Sequence, residues 1–232
     1  MQPALTNKII AVTGGFGALG RATGEALRAA GARVALLDVA PAPAASPVDG
    51  ALCLGGVQLD DPGAAAKALD QVQAHFGALD GLVNVAGGFT WETVEAGNPA
   101  SWQQMFAMNV QTALHASQAA LRHLLPRGAG RIVNIGALAA AQAGLGMGAY
   151  AASKAGVARL TEAMAEEFKD RGITINAVLP SILDTPANRA AMPDADASRW
   201  VSPAALAAVI VFLLSDAAAP INGALIPVKG RV

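Results

Sequence analysis

Short apolar, β-branched runs alternate with helical patterns along the whole chain, and this alternation leaves few folds open. Runs at Lys8–Val12, Arg33–Leu37, Ala51–Leu54, Gly81–Val85, Arg131–Ile135, Ile173–Val178 and Ala224–Val228 read as strands. Between them Ala18–Ala30, Pro62–Phe76, Pro99–Leu125, Ala149–Arg171 and Pro203–Ser215 read as helices. Strands that are apolar throughout, and not only at every second residue, are buried on both faces. The helices between them supply the crossovers that parallel pairing requires. The sequence thus predicts a single doubly wound α/β domain of Rossmann type over residues 1–232, its seven-stranded parallel sheet flanked by helices.

Composition removes several classes of partner. Hydrophobic residues make up 53%, charged residues 14%, and the net charge is −1, with no basic stripe for nucleic acid. The longest apolar stretch, "AALAAVIVFLL", is too short to span a bilayer, and "MQPALTNKIIAVTGG" lacks the long apolar core of a signal peptide. Cys53 is the only cysteine, and its apolar run "ALCLGG" suits a core residue better than a nucleophile. The expectation is a cytoplasmic protein without membrane or nucleic-acid partners. His75, His115 and His123 lie in helical segments without metal-ligand spacing, so no metal is expected.

Two stretches interrupt the alternation. Val39–Gly50, "VAPAPAASPVDG", reads as a surface connection. Ser181–Trp200 is long for a connection in such a fold and follows the sixth strand, at the sheet edge where ligands bind; it is the expected substrate loop, about residues 181–200.

The first strand runs into "TGGFGALG", Thr13 to Gly20, and then into a helix. Glycines in a strand-to-helix turn let backbone approach a pyrophosphate, and the helix N-terminus offers unpaired N–H groups. Gly14, Phe16, Gly17, Ala18, Leu19 and Gly20 are therefore expected to bind a dinucleotide. Asp38, 18 residues past Gly20 at the end of the second strand, can accept from both adenosine ribose hydroxyls and would repel a 2′-phosphate. With no cation inside the turn and Arg21 just after it, NAD (as NADH) is expected over NADP. Asp60 follows the third strand and is placed for the adenine, while Asp61 before Pro62 reads as a helix cap. Asn84, Ala86 and Gly87 in "NVAGG" leave room for the cofactor's ribose.

Tyr150 and Lys154 stand four apart, on one face of a helix. A nearby ammonium favours the phenolate and lowers the phenol pKa, so such a pair can pass a proton as hydride arrives next to it. Together these motifs resemble the short-chain dehydrogenase/reductase family over essentially the whole chain. The resemblance implies that Asn109 in "MNV" joins Lys154 in a proton relay. It also implies that "PSILDT" supplies Pro180, Ile182 and Thr185 to the nicotinamide end, and that the protein is a homodimer or homotetramer.

Three positions depart from the family pattern. The middle glycine of the phosphate loop is Ala18, the glycine after Pro180 is Ser181, and the catalytic serine is Ala137. Losing one donor to a developing oxyanion costs about 3 kcal/mol. One branch, the quinoid dihydropteridine reductases, works without that serine and uses NADH. The chain resembles it at "GGFGALG", at "VAGG" followed by Phe89 and Trp91, at the Gly-Met spacing of "GLGMGAYAASK", and over "VLPSILDTPANRAAMPDADASRW". "NVAG", "MNV" and "YAASKAG" resemble ordinary carbonyl reductases instead. The reading is an NADH-dependent reductase of a small conjugated or C=N substrate such as quinonoid dihydropterin. Tyr150 donates the proton, and Ala137, Phe89, Trp91 and Met147 line the substrate side. A carbonyl reductase or alcohol dehydrogenase, and a non-catalytic dinucleotide sensor, are the alternatives.

Overall fold

β-Branched runs form the centre of the sheet because they can bury both faces at once. In the computed structural model, which describes residues 4–232, β1 (Ile9–Thr13) sits mid-sheet with every residue buried. Ile9 and Ala11 face one hydrophobic core, and Ile10 and Val12 face the other, as the period of two demands. The remaining strands are β2 (Arg33–Leu37), β3 (Leu52–Leu54), β4 (Gly81–Asn84), β5 (Gly130–Ile135), β6 (Ile173–Pro180) and β7 (Leu225–Val228). Their order is β3-β2-β1-β4-β5-β6-β7, with every pair parallel. The order reverses between β1 and β4, which opens a crevice at the carboxyl ends of those two strands.

One layer of helices holds α1 (Ala18–Ala29) and α7 (Pro203–Leu214), which pack on each other over Leu27, Leu206 and Ile210. The other holds α2 (Pro62–Phe76), α4 (Thr112–Leu124) and α5 (Gly148–Phe168), covering Leu82, Ile132 and Ile175. Each fully buried Leu or Ile side chain contributes about 1.5–3 kcal/mol, so these two layers dominate the stability. Proline at N1 and a capping side chain start α2 (Asp61), α3 (Pro99–Phe106, capped by Asn98) and α7 (Ser202). Asp61 is thus a cap.

The structure corrects three sequence expectations. The helix expected over Pro99–Leu125 is three pieces: α3, a π-helical turn at Ala107–Gln111, and α4. Val85 lies beyond β4, because the chain turns there with Val85 N on Val83 O. The connection Ser181–Trp200 is built rather than open: it contains α6 (Pro186–Ala191) and a 3-10 turn, and Leu183 pairs with Val201. Residues 1–3, the start of the predicted domain, lie outside the described residues. Among the described residues no helix is long and apolar enough to cross a membrane, and no group of three His, Cys, Asp or Glu is placed to hold a metal ion.

Candidate active site

The crevice at the strand reversal is a cleft of about 1050 Å³. Gly14, Gly17, Ala18, Leu19 and Gly20 line one side, Asp38 and Asp60 the far end, Ala86 and Gly87 the floor, and Thr185 the roof. The turn is fixed by close backbone approaches. Gly14 has φ +60°, and a Cβ on Gly20 would stand 2.1 Å from the Gly14 carbonyl oxygen. Ala18 does not disturb this, because it is the first helical residue and its side chain leaves the turn's backbone contacts intact. No side chain caps the N-terminus of α1, so its N–H groups face the cleft available to an anion.

Asp38 Oδ2 accepts from Phe16 N at 2.9 Å and Oδ1 from Ala40 N at 3.0 Å. A carboxylate has about four acceptor sites, so two remain for ribose hydroxyls. The tight turn, the open helix end and this carboxylate fit a dinucleotide. Arg21 reaches the cleft rim with Nε on Phe16 O at 2.7 Å.

Not every expected cofactor residue reaches the cleft. The Asn84 amide points away from it, donating to Asn134 Oδ1 at 2.8 Å and Ser117 Oγ at 2.9 Å. Phe16 packs partly into the core beside α1, and the lining does not include Pro180, Ile182, Tyr150 or Lys154, the last two also expected at the cofactor. Conversely, sequence reasoning passed over Thr13. Its buried Oγ1 accepts from Ala86 N at 3.1 Å and ties the exit of β4 to the end of β1. Met108 and Thr112 from the π turn and α4 also line the cleft; their place on one face of the "MNVQT" segment was the available signal.

Tyr150 and Lys154 project from the first turns of α5. Lys154 is buried, and its ammonium donates to Ile135 O at 2.8 Å. Burial holds it down at about 8, and burial pushes the Tyr150 phenol up to about 12. The expected lowering of the phenol pKa is therefore reversed in this arrangement, since the lysine's hydrogen bond goes to a main-chain carbonyl and desolvation prevails.

Asn109 lies in the π turn, a widened turn that frees backbone groups. Its side chain accepts from Gly88 N at 3.0 Å and donates to Gly88 O at 3.1 Å and Ser153 Oγ at 2.9 Å, rather than to Lys154. A Cβ on Gly87 would stand 2.5 Å from Asn109 Oδ1 and 3.4 Å from Lys154 Nζ, so Gly87 is where the cleft floor meets the lysine.

Ala137 follows β5 and is buried in extended conformation. Neighbouring hydroxyls do not replace the missing serine. Ser153 Oγ donates to Tyr150 O at 2.7 Å, and Ser181 Oγ to Lys229 O at 2.6 Å. The Phe89 ring meets Tyr150 edge-on, centroids 4.9 Å apart at 80°. Met147 precedes α5 and pairs with Glu92, which brings Trp91 against Gly146.

A glycine turn, an acid at the end of β2 and a Tyr/Lys pair on one parallel sheet point to a nicotinamide-dependent oxidoreductase. The sequence profile described as short chain dehydrogenase matches residues 8–196. The 2-(S)-hydroxypropyl-CoM dehydrogenase 3 of Xanthobacter autotrophicus is 34% identical over 250 residues, covering 99% of this chain and 98% of its own. The 3-oxoacyl-acyl-carrier-protein reductase of Escherichia coli is 32% identical, covering 96% of each chain. Among solved structures, gox2181 superposes with a TM-score of 0.93 at 28% identity, covering 99% of this chain and 96% of its own. Carveol dehydrogenase from Mycobacterium avium, solved with NAD, gives 0.85 at 25% identity, covering 98% of each. The chain belongs to the short-chain dehydrogenase family of NAD(P)-dependent oxidoreductases.

Proposed function

We propose that the protein is an NADH-linked reductase of a small conjugated or C=N acceptor, quinonoid dihydropterin being the type, with Tyr150 as its proton donor. Ala137 carries this reading. Reducing a ketone gathers charge on one oxygen, which needs a fixed donor. Reducing a quinonoid ring spreads the charge, so a site whose Ser153 and Ser181 hydroxyls are committed to main-chain carbonyls suits it better. NADH supplies the hydride when bound.

The protein's part is to hold the acceptor beside Tyr150 and deliver a proton from its hydroxyl. A phenol raised to about 12 stays protonated at neutral pH, the state in which it can donate. Lys154, Asn109 and Gly87 then fix the floor on which the cofactor's nicotinamide end would lie, with Thr185 above. Asp38 and Asp60 favour NAD over NADP at the adenosine end. The half-exposed Trp102 and Phe106 on α3 offer an apolar contact for a homodimer or homotetramer, and the single cysteine fits a reducing cytoplasm.

The relatives named above are dehydrogenases and a reductase of other compounds, which favours a carbonyl as the second reading. Ala137→Ser separates the two. Steady-state NADH oxidation by that variant should rise about 10²-fold on ketones and stay level on quinonoid dihydropterin. A gain on dihydropterin, with none on ketones, would sink the proposal.

A further inference from the structure

Two segments that meet beside Tyr150 present large apolar groups and almost no charge. Phe89 is 56% exposed, Trp91 59% and Leu145 81%. The indole is nevertheless fixed. Gly146, at φ +72°, is so close that a Cβ there would stand 2.3 Å from Trp91 Cε2. Glu92 N donates to Gly146 O at 2.8 Å, locking the two segments together. The Glu92 carboxylate in turn accepts from Asn98 N and Ser101 Oγ at the start of α3. One face of the ring thus rests on backbone while much of its apolar surface stays in water until a ligand covers it.

Charge sharpens the identity of that ligand. No charged residue occurs in residues 81–91 or 132–153. The Glu92 carboxylate is consumed by the helix cap, and Lys154 is buried on Ile135 O. In the loop after β6, Asp184 and Arg189 pair with each other at 2.6 Å. Arg199 in the same loop donates to Arg231 O at 2.7 Å, and Glu95, Asp194 and Asp196 are acidic. An anionic acceptor set against this wall would lose its water without gaining a counter-charge.

We infer that the acceptor is an uncharged, flat ring system selected by Trp91, an inference that rests on the reductase reading of the Tyr150 site. Aromatic faces prefer flat partners over alkyl chains of equal size.

The test is equilibrium dialysis of the NADH-loaded protein against 2-acetylnaphthalene and 6-acetyl-2-naphthoate, with 2-octanone measured by competition. The neutral naphthalene should bind at least about tenfold more tightly than the carboxylate. Trp91→Leu should weaken the naphthalene about tenfold and 2-octanone less than about twofold. Leu145→Arg, at an exposed position that tolerates charge, should bring the naphthoate to within about twofold of the neutral ketone.

Absent or equal binding of the two naphthalenes, equal loss of ring and chain in Trp91→Leu, or no gain in Leu145→Arg overturns the inference. Turnover of quinonoid dihydropterin is read separately. Its failure with the naphthalene preference intact removes the pterin reading alone, and the reverse removes the wall alone.

Discussion

At the turn after β1, backbone meets backbone: an added Cβ on Gly14 would stand 2.9 Å from Ala86 N, and one on Gly20 2.1 Å from Gly14 O. At the wall beside Tyr150 the neighbours are side chains, Met147 Sδ at 3.2 Å from a Cβ on Gly144 and Trp102 at 3.2 Å from one on Gly148. The cofactor half is therefore intolerant of change, because main-chain atoms cannot move aside. The acceptor half can be re-cut by changing side chains. That difference explains how relatives 25–34% identical to this chain carry names that specify different compounds.

The largest effect expected in either half comes from the proton donor. Tyr150→Phe removes the hydroxyl and keeps the ring against Phe89, so the fold and NADH affinity should hold. Turnover should fall by about 10²–10⁴-fold, measured as kcat with any accepted substrate. A variant retaining full rate would place the donor elsewhere and dissolve the acceptor half as drawn.

Gly20→Ala attacks the other half. The added methyl must displace the Gly14 carbonyl, and a shift near 1 Å in a positioning element costs about 10²-fold. NADH affinity by fluorescence titration should weaken by about that factor, while Leu145→Ala, exposed in the acceptor half, leaves it unchanged. If Gly20→Ala binds NADH normally, the contrast between rigid and adaptable halves is broken.

How far these halves were legible in the sequence follows from the same contrast. The glycine turn, Asp38 and the seven strands could be read because local backbone geometry and burial on both faces impose residue types directly. Strand ends moved by one or two residues, as at Val85 and at β6, which continues to Pro180. The π turn at Ala107–Gln111 was hidden, since "AMNVQ" has ordinary helical composition and only the tertiary bonds of Asn109 to Gly88 and Ser153 mark it. Asn84 was misplaced for a related reason: a polar residue at a strand end points to the ligand or to the core, and its partners Ser117 and Asn134 lie 33 and 50 residues away. Glu92 gave no signal at all, because its role depends on a loop pairing that spacing does not encode.

Lys154 sits where the halves join, and its prediction is the smallest and the most specific. Burial sets its folded pKa at about 8, against an ordinary value of 10.5. Above pH 8 the ammonium is lost, so a reductive kcat that depends on it should fall about tenfold per pH unit. Stability should move the other way. Below pH 8 both the folded and unfolded chains hold the proton, and the full cost of burying the charge, about 3 kcal/mol, is present.

Between about 8 and 10.5 the folded chain releases its proton first, the unfolded chain binds more, and stability rises with pH. Tyr150 reverses the trend between its ordinary 10 and about 12, where the folded phenol keeps a proton that the unfolded one loses. Urea unfolding of wild type and Lys154→Met should therefore show a gap that shifts toward the wild type from pH 8 to pH 10, as its activity declines. The bond from the ammonium to Ile135 O weakens as the proton is lost and is already contained in the folded pKa. A gap independent of pH would mean that the ammonium is hydrated in solution, and that the floor between the halves is open to water.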